Sequence, residues 1–242
     1  MAGTNKRAAV TGAGSGIGAA TAALLIREGW VVACLDRNPE AARKVACGHP
    51  VIEVDVADEE SVGAAFRRVK MELGGLDALA TCAGIFETAS LMDTTADTFR
   101  RILDVNVVGT FLCIREAVPL MSAGARSCTV SSVAGLRGGG LMGTISYATS
   151  KGAILALTKN AARMLGPKGI AVNTIAPGVI DTPFAAGPMA DPAVRQRMEG
   201  LSSFNRLGTA EEIAEAIAWL LSPKASFVHG ATLVADGGMV MY

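Results

Sequence analysis

The sequence predicts a single-domain α/β protein built on a doubly wound parallel sheet. Three observations support this prediction: short β-branched runs alternate with longer helical patterns, half of the 242 residues are hydrophobic, and no linker or repeat divides the chain. A chain of this length and composition can bury a large core. We therefore expect residues 1–242 to form one domain with helices on both faces of the sheet.

The predicted elements follow one another as βαβ units require. Helix starts support this order, because Thr209 and Glu212 form a capping box before an apolar-periodic run, and Thr94 with Asp97 offers a weaker one. The predicted strands cover 7–12, 30–35, 51–55, 77–82, 126–131, 170–176 and 231–235. The predicted helices cover 16–28, 59–73, 97–122, 146–166 and 210–221.

Charge and cysteine content argue against several classes of function. The 22 basic residues balance the 22 acidic ones, so nucleic acid and anionic membranes are not expected partners. Five scattered cysteines without a CxxC pair, and only two histidines, predict no metal site. Glycines from Gly12 onward interrupt a faintly signal-like start, and we expect an unprocessed cytoplasmic protein with reduced thiols.

The first predicted strand runs directly into "TGAGSGIG" (11–18), which opens the first helix. Glycines let the backbone approach a pyrophosphate, and the N–H groups of the first helical turn stabilise its charge. The spacing differs from G-x-G-x-x-G, so a purely structural glycine turn is the alternative. The candidate cofactor ligands in this motif are Gly12, Ser15, Gly16, Ile17 and Gly18.

The end of the second strand indicates which nucleotide binds. Asp36 lies eighteen residues after Gly18, where a carboxylate can accept hydrogen bonds from both ribose hydroxyls and would repel a 2′-phosphate. This favours NAD over NADP, although the guanidinium of Arg37 could pair with that phosphate. Asp55, followed by Val56 after the third strand, could contact the adenine amine; an exposed turn acid is the alternative.

Tyr147 and Lys151 in "SYATSK" lie four residues apart and project from one face of a helix. Lowering the pKa of a phenol from ~10 toward ~7 requires about 4 kcal/mol. A single positive charge such as the Lys151 ammonium, at ~4 Å in an effective dielectric of ~20, supplies about this much free energy. A positively charged nicotinamide would add to the effect. Ser131 and Ser132 compete for a hydroxyl role nearby, because adjacent strand residues face opposite sides.

Taken together, these motifs resemble the short-chain dehydrogenase/reductase family, in its compact form, over essentially the whole chain. The resemblance rests on the glycine motif, on Asn106 in "LDVNVVGTF", and on Ser132, Tyr147 and Lys151. It also includes Ala83-Gly84 after the fourth strand, "VNTIAPGVIDTP" (172–183) and "LVADGG" (233–238). The resemblance implies a Rossmann-like sheet of seven parallel strands, NAD(P)-linked interconversion of an alcohol and a ketone, and a homo-oligomer, either a dimer or a tetramer.

The resemblance also implies roles for individual residues. Tyr147 would be the general acid/base, Lys151 its electrostatic partner and a ribose ligand, Ser132 the donor to the substrate oxygen, and Asn106 the anchor of a water-linked proton path. Asn106, Tyr147 and Lys151 are therefore counted with the cofactor contacts as well. The family pattern adds further cofactor contacts at Ala83, Gly84, Pro177, Gly178, Ile180 and Thr182.

Two features concern the substrate side of the site. Residues 183–209 are expected to form a substrate lid without a sheet element, and their apolar residues, such as Phe184, suggest a moderately hydrophobic alcohol or ketone. The glycines at 138–140, followed by Leu141 and Met142, are interpreted as a substrate-side loop.

One departure from the family pattern bears on the cofactor site. The chain has Thr81-Cys82-Ala83-Gly84 where the family usually has Asn-Asn-Ala-Gly. A hydrogen bond made by those asparagines must then be replaced, with Thr81 as the candidate, or be absent.

Other functions on the same fold remain open at this point. A nucleotide-binding regulatory protein or a scaffold subunit has no chemical need for the tyrosine, lysine and serine set. An enoyl reductase would place more residues between the tyrosine and the lysine. The helices at 107–118 and 146–166 are more apolar than contact with one sheet requires. This favours a homo-oligomer, in which another subunit covers the second apolar face; the alternative is that another part of the same chain covers it.

Overall fold

A computed structural model describes residues 6–139 and 144–241, so Gly140, Leu141 and Met142 of the predicted substrate-side loop lie outside the described residues. The strands are β1 (Arg7–Thr11), β2 (Val31–Asp36), β3 (Val51–Glu53), β4 (Leu76–Thr81), β5 (Met121–Val130), β6 (Ala171–Pro177), β7 (Ile180–Asp181), β8 (Gly208–Thr209) and β9 (Thr232–Ala235). The helices are α1 (Gly16–Arg27), α2 (Pro39–Ala46), α3 (Glu59–Leu73), α4 (Ala96–Leu103), α5 (Gly109–Ala117), α6 (Val133–Arg137), α7 (Ile145–Leu165), α8 (Ala186–Met189), α9 (Pro192–Glu199) and α10 (Ala210–Leu221).

The described residues form a seven-stranded sheet in the order β3-β2-β1-β4-β5-β6-β9, and each neighbouring pair runs parallel. The chain winds outward from β1 to β3 and then returns to place β4 on the other side of β1. This reversal opens a crevice at the carboxyl ends of β1 and β4, where ligands of such sheets bind. The predicted α/β class and parallel sheet are confirmed.

Helices cover both faces of the sheet, as the apolar strands predicted. In β4, Leu79 packs into one core and Ala80 into the other, and both are 0% exposed. The core that contains Ala80 includes Leu25 of α1 and Ile217 of α10. The core that contains Leu79 draws on α3, α5 and α7, with Phe66 from α3 near its centre.

Local capping explains where several helices begin. The Thr209 hydroxyl accepts from the Glu212 N–H while the Glu212 carboxylate accepts from the Thr209 N–H, so the predicted capping box is confirmed. The weaker box is wrong by one residue, because Thr95 caps α4 instead of Thr94. The unpredicted α2 begins where Asn38 caps its first turn and Pro39 occupies the first helical position.

The predicted helix at 97–122 is confirmed as a helical segment, but it ends earlier than predicted and its hydrogen-bond pattern changes along its length. A π-helical turn, Asp104–Val108, separates α4 from α5. Pro119 then stops the helical hydrogen-bond pattern because it has no N–H, and β5 already begins at Met121.

The segment 183–209 contains α8, α9 and β8, and β8 pairs with β7 in a two-stranded parallel sheet. The expectation of no sheet element there is therefore wrong. Across the described residues, we find no helix with both the length and the apolar character needed to cross a bilayer. The same residues hold no cluster of histidine, cysteine and carboxylate side chains suited to a metal ion.

Candidate active site

The carboxyl ends of the central strands border a cavity of about 400 Å³. The sequence-predicted residues at this cavity come from the ends of six strands, β1 to β6, and from helix α7, so tertiary folding brings them together. Every predicted cofactor contact lines the cavity except Asn106. The lining residues from that set are Gly12, Ser15, Gly16, Ile17, Gly18, Asp36, Arg37, Asp55, Val56, Ala83, Gly84, Tyr147, Lys151, Pro177, Gly178, Ile180 and Thr182.

The glycine motif forms a turn that other residues could not form. Gly12 has a φ of +68°, and a Cβ on Gly18 would lie 2.1 Å from the Gly12 carbonyl oxygen. The close packing leads the backbone into α1, whose N-cap residue Ser15 makes no side-chain capping hydrogen bond. The first N–H groups of α1 therefore face the cavity uncapped by Ser15, as an anion site requires.

Gly16 keeps the space beside this helix end open. Its φ is +51°, and a Cβ there would project to within 3.5 Å of Thr182 on the opposite wall. A pyrophosphate placed between the glycine turn and Thr182 would occupy the space that a larger residue would fill. The residues present thus fit a dinucleotide cofactor.

The Asp36 carboxylate is already held by the backbone. Its Oδ2 accepts from the Gly14 N–H and its Oδ1 accepts from the Asn38 N–H, both at 2.8 Å. Each oxygen retains a further lone pair toward the cavity. Arg37 is exposed, and it shares a second cavity of about 300 Å³ with Asp55 and Arg101 at this end of the site.

The Asp55 carboxylate takes part in a hydrogen bond within its own turn. Its Oδ1 accepts a 3.0 Å hydrogen bond from the Ala57 N–H, which is a local turn contact. Because Asp55 also lines the cavity, both the adenine contact and the turn function are geometrically compatible.

The two serines at the end of β5 point in different directions. The Ser131 hydroxyl is buried and donates to the backbone carbonyl of Lys151 at 2.7 Å. The Ser132 hydroxyl accepts from the Ala134 N–H at 3.1 Å and lies close enough to Tyr147 to lower the pKa of its phenol. The structure therefore selects Ser132 as the hydroxyl beside the phenol.

Burial dominates the electrostatics of Tyr147 and Lys151. It raises the pKa of the Tyr147 phenol to about 12, against a smaller lowering by the Ser132 hydrogen bond. Burial also lowers the pKa of the Lys151 ammonium to about 8, against a smaller raising effect of Cys82. The Lys151 ammonium donates to the Val130 carbonyl at 2.8 Å and lies 5.6 Å from the Tyr147 ring centroid.

The expected lowering of the Tyr147 pKa toward neutrality by Lys151 alone is therefore not found. Both groups lose hydration together, and this loss disfavours both the phenolate and the ammonium. Any lowering of the Tyr147 pKa by a positively charged nicotinamide would be an additional effect.

Asn106 lies behind the cavity, in the π-helical turn. Its side-chain amide donates to the Ile85 carbonyl and to the Ser150 hydroxyl, and its Oδ1 accepts from the Ile85 N–H. These bonds tie the π-helical turn to the segment after β4. Such turns often occur at functional sites, but a direct cofactor contact of Asn106 stays a prediction.

Thr81 does not replace the family's asparagine. Its hydroxyl is buried and finds no hydrogen-bond partner among residues 6–139 and 144–241. The backbone N–H of Ala83 instead donates to the Thr11 hydroxyl at 3.3 Å, which holds this loop against the glycine turn. Of the two expected alternatives, replacement by Thr81 or absence of the hydrogen bond, the described residues agree with the second.

Sequence reasoning missed two residues in the loop after β4. Phe86 lines the cavity and packs near the rings of Tyr147 and Phe184. The carboxylate of Glu87 accepts hydrogen bonds from the hydroxyls of Thr144 and Ser146 at the start of α7. Their position directly after the Ala83-Gly84 motif was the available signal, but nothing local showed what they contact.

Comparisons with known proteins find relatives over nearly the whole chain. A family model described as "Enoyl-(Acyl carrier protein) reductase" matches residues 12–240. The cis-4-hydroxycyclohexanecarboxylate dehydrogenase of Sinomonas cyclohexanicum is 42% identical over 239 residues, which cover 96% of this chain and 95% of that protein. The meso-2,3-butanediol dehydrogenase of Serratia marcescens is 33% identical over 241 residues, which cover 97% and 94%.

A solved structure supports the same relationship. The structure titled as a dehydrogenase/reductase from Sinorhizobium meliloti 1021 superposes with a TM-score of 0.90 at 37% identity, and it covers all of this chain and 96% of that one. The matches extend over nearly the full length and include the segments that build the cavity. The chain is thus an oxidoreductase of the short-chain dehydrogenase/reductase family, whose dehydrogenases use a nicotinamide cofactor.

Proposed function

We propose that this protein catalyses reversible hydride transfer between NAD and a secondary alcohol or its ketone. The observation that carries the proposal is the convergence of Ser132, Tyr147 and Lys151 on the cavity that also holds the glycine turn and Asp36. A proton-transfer group, a hydroxyl donor and a dinucleotide cradle are the parts that this reaction needs.

Three residues have chemical roles in the proposal. The Ser132 hydroxyl donates a hydrogen bond to the substrate oxygen and orients it toward Tyr147. In alcohol oxidation, the ionised Tyr147 oxygen takes the hydroxyl proton of the substrate, and in ketone reduction the neutral phenol returns it. The positive charge of Lys151 favours the ionised phenol, and Asn106 anchors the proton path behind it.

The cofactor supplies the acceptor for the hydride that leaves the carbinol carbon, or the donor in the reverse direction. The glycine turn would hold its pyrophosphate, Asp36 its adenosine ribose, and Asp55 with Val56 its adenine. Around the nicotinamide, the contacts would come from Ala83, Gly84, Pro177, Gly178, Ile180 and Thr182. All of these residues line the cavity, which supports the proposed placements.

NAD is the preferred cofactor in this proposal. The Asp36 carboxylate is fixed by two backbone N–H groups, so it cannot easily turn away from a 2′-phosphate. NADP remains the alternative because Arg37 and Arg101 also line this end of the cavity.

An enoyl reductase is the second candidate, because the matching family model carries that description. The four-residue spacing of Tyr147 and Lys151 favours alcohol chemistry, since enoyl reductases separate these residues further. The relatives' names include a substituted cyclohexane and an open-chain diol, so both cyclic and acyclic alcohols fit the proposal at this level.

Tyr147→Phe tests the proposal directly. The phenyl ring keeps its packing against Phe86 and Phe184, while the proton-transfer group is lost. We expect turnover of secondary alcohols, followed by the absorbance of reduced nicotinamide, to fall at least about 100-fold. Cofactor affinity should stay unchanged. Thr149→Ala, on the exposed side of the same helical turn, is the control, and wild-type rates in Tyr147→Phe would contradict the proposal.

The remaining proposals concern the lid and the assembly. Residues 183–209 would close over the substrate, because Phe184 and Ala185 line the cavity. A homo-oligomer, a dimer or a tetramer, is proposed from the exposed Phe111 on α5 and Met164 on α7. A cytoplasmic location is proposed separately, from the five free cysteines. Light scattering on the purified protein measures the number of subunits.

A further inference from the structure

Three aromatic rings from three chain segments meet beside the candidate proton-transfer group. Tyr147 lies on α7, Phe86 in the loop after β4, and Phe184 directly after Pro183 in the lid segment. The ring centroids of Phe86 and Phe184 are 4.6 Å apart, and each lies 6.1 Å from the Tyr147 centroid. These separations are those of contacting aromatic rings.

The surroundings of these rings are apolar. Ile85, Val179 and Ala185 line the same part of the cavity, while Lys151 is the charged group near the phenol. The other charged residues among the described lining are Asp36, Arg37, Asp55 and Arg101. Three of those four also line the second cavity, which places them at the opposite, adenine end. A substrate beside Tyr147 therefore meets flat aromatic and aliphatic surfaces.

The loop that carries Phe86 is fastened to the helix that carries Tyr147. The carboxylate of Glu87 accepts from the hydroxyls of Thr144 and Ser146, and also from the Ala89 N–H. Ser146 is fully buried. The Phe86 ring is therefore held in place before a substrate arrives, which reduces the entropy lost on binding.

We propose that Phe86 and Phe184 determine specificity by packing against a saturated six-membered carbocycle that bears the reacting hydroxyl, so that alicyclic secondary alcohols are the preferred substrates. This inference rests on the proposed alcohol dehydrogenase function and deepens it. A rigid carbocycle can pack against the faces of these rings with little loss of its own internal freedom. An open chain with the same number of carbons must freeze several torsions to make equal contact.

Cyclohexanol and 3-hexanol test the inference, since both are six-carbon secondary alcohols. We expect the wild-type protein to show a kcat/KM for cyclohexanol at least on the order of tenfold above that for 3-hexanol. Phe86→Leu and Phe184→Leu keep an apolar side chain but remove the flat ring. Each should lower this ratio several-fold, mainly through a higher KM for cyclohexanol. Phe227→Leu is the control, because Phe227 is fully exposed and is not among the residues that line the cavity; it should leave the ratio unchanged.

Binding without turnover gives an independent measurement. Saturation-transfer NMR should detect cyclohexanol on the wild-type protein more strongly than on either leucine variant, and thermal unfolding checks that the variants remain folded. A wild-type ratio near one, or unchanged ratios and binding in both leucine variants, would overturn the aromatic specificity while leaving the alcohol dehydrogenase proposal intact. Failure of the wild type to oxidise either alcohol, or to reduce their ketones, with NAD or NADP would overturn both.

Discussion

The hydroxyl of Ser131 donates a 2.7 Å hydrogen bond to the backbone carbonyl of Lys151. This bond joins the end of β5 to the helix that carries the two candidate catalytic residues. It also occupies Ser131, so that the hydroxyl of the neighbouring Ser132 is the one directed at Tyr147. We propose that these adjacent serines have separate main functions, structural for Ser131 and chemical for Ser132.

Separate substitutions of these serines should differ in their effect on activity. We expect Ser132→Ala to lower kcat/KM by about 100-fold, because a substrate-oxygen donor is lost. It should also cost about 1 kcal/mol of unfolding free energy, because the Ser132 hydroxyl caps the first turn of α6. Ser131→Ala should retain most activity but lose about 1 kcal/mol of unfolding free energy, since it removes a buried hydrogen bond between β5 and α7. Steady-state kinetics and urea unfolding measure both effects. Equal loss of activity in the two variants would contradict the division.

The lowered pKa of Lys151 should appear in the pH dependence of stability. Between the folded pKa of about 8 and the ordinary lysine value of 10.5, the unfolded chain binds more protons, so stability gains with rising pH in this window. We expect the unfolding free energy of the wild type, relative to Lys151→Met, to rise by about 2 kcal/mol from pH ~7.5 to pH ~9.5.

Urea unfolding of the cofactor-free protein at one fixed concentration measures this difference. The raised pKa of Tyr147 acts in the other direction, since stability falls as the unfolded phenol ionises above pH 10. The effect of Tyr147 on stability is common to the wild type and to Lys151→Met, and it occurs above the pH range in which the two proteins are compared. A pH-independent difference would contradict burial of a charged Lys151.

Asp36 should control the choice between the two nucleotides. We expect Asp36→Ala to lower the affinity for NAD and to shift the ratio of NADP to NAD affinity by about tenfold or more toward NADP, because a fixed negative charge is removed. Isothermal titration calorimetry measures both dissociation constants. Glu40→Ala, at an exposed carboxylate on the following helix, is the control and should leave the ratio unchanged. An unchanged ratio in Asp36→Ala would argue against its role in discrimination.

The glycine turn should tolerate no side chain at Gly18. A Cβ there would lie 2.1 Å from the Gly12 carbonyl, so Gly18→Ala must displace the backbone. We expect a loss of about 1–3 kcal/mol in unfolding free energy, together with weaker cofactor binding. Gly63→Ala is the matched control, because its Cβ meets only the end of Arg67 and helix propensity should give a gain of about 0.5–1 kcal/mol. Similar stability changes in the two variants would contradict close packing of the turn.

Much of the fold follows from local signals. The alternation of strands and helices, the capping box at Thr209 and the turn at Gly12 are each encoded within a few residues. The predicted helix at 97–122 ends early because of Pro119, and periodicity alone did not reveal the π-helical turn inside it. The helix α2 was available in the sequence through Asn38-Pro39, an ordinary helix start.

The sequence by itself determined the family, the parallel sheet and most of the cavity-lining residues, because motif spacing and periodicity are short-range properties. Only the tertiary structure decided that Ser132 and not Ser131 faces the phenol, and that Glu87 fastens its loop to Ser146, 59 residues away. It also decided the sign of the Tyr147 pKa shift. Burial and contacts between distant segments set these properties, and no local pattern contains them.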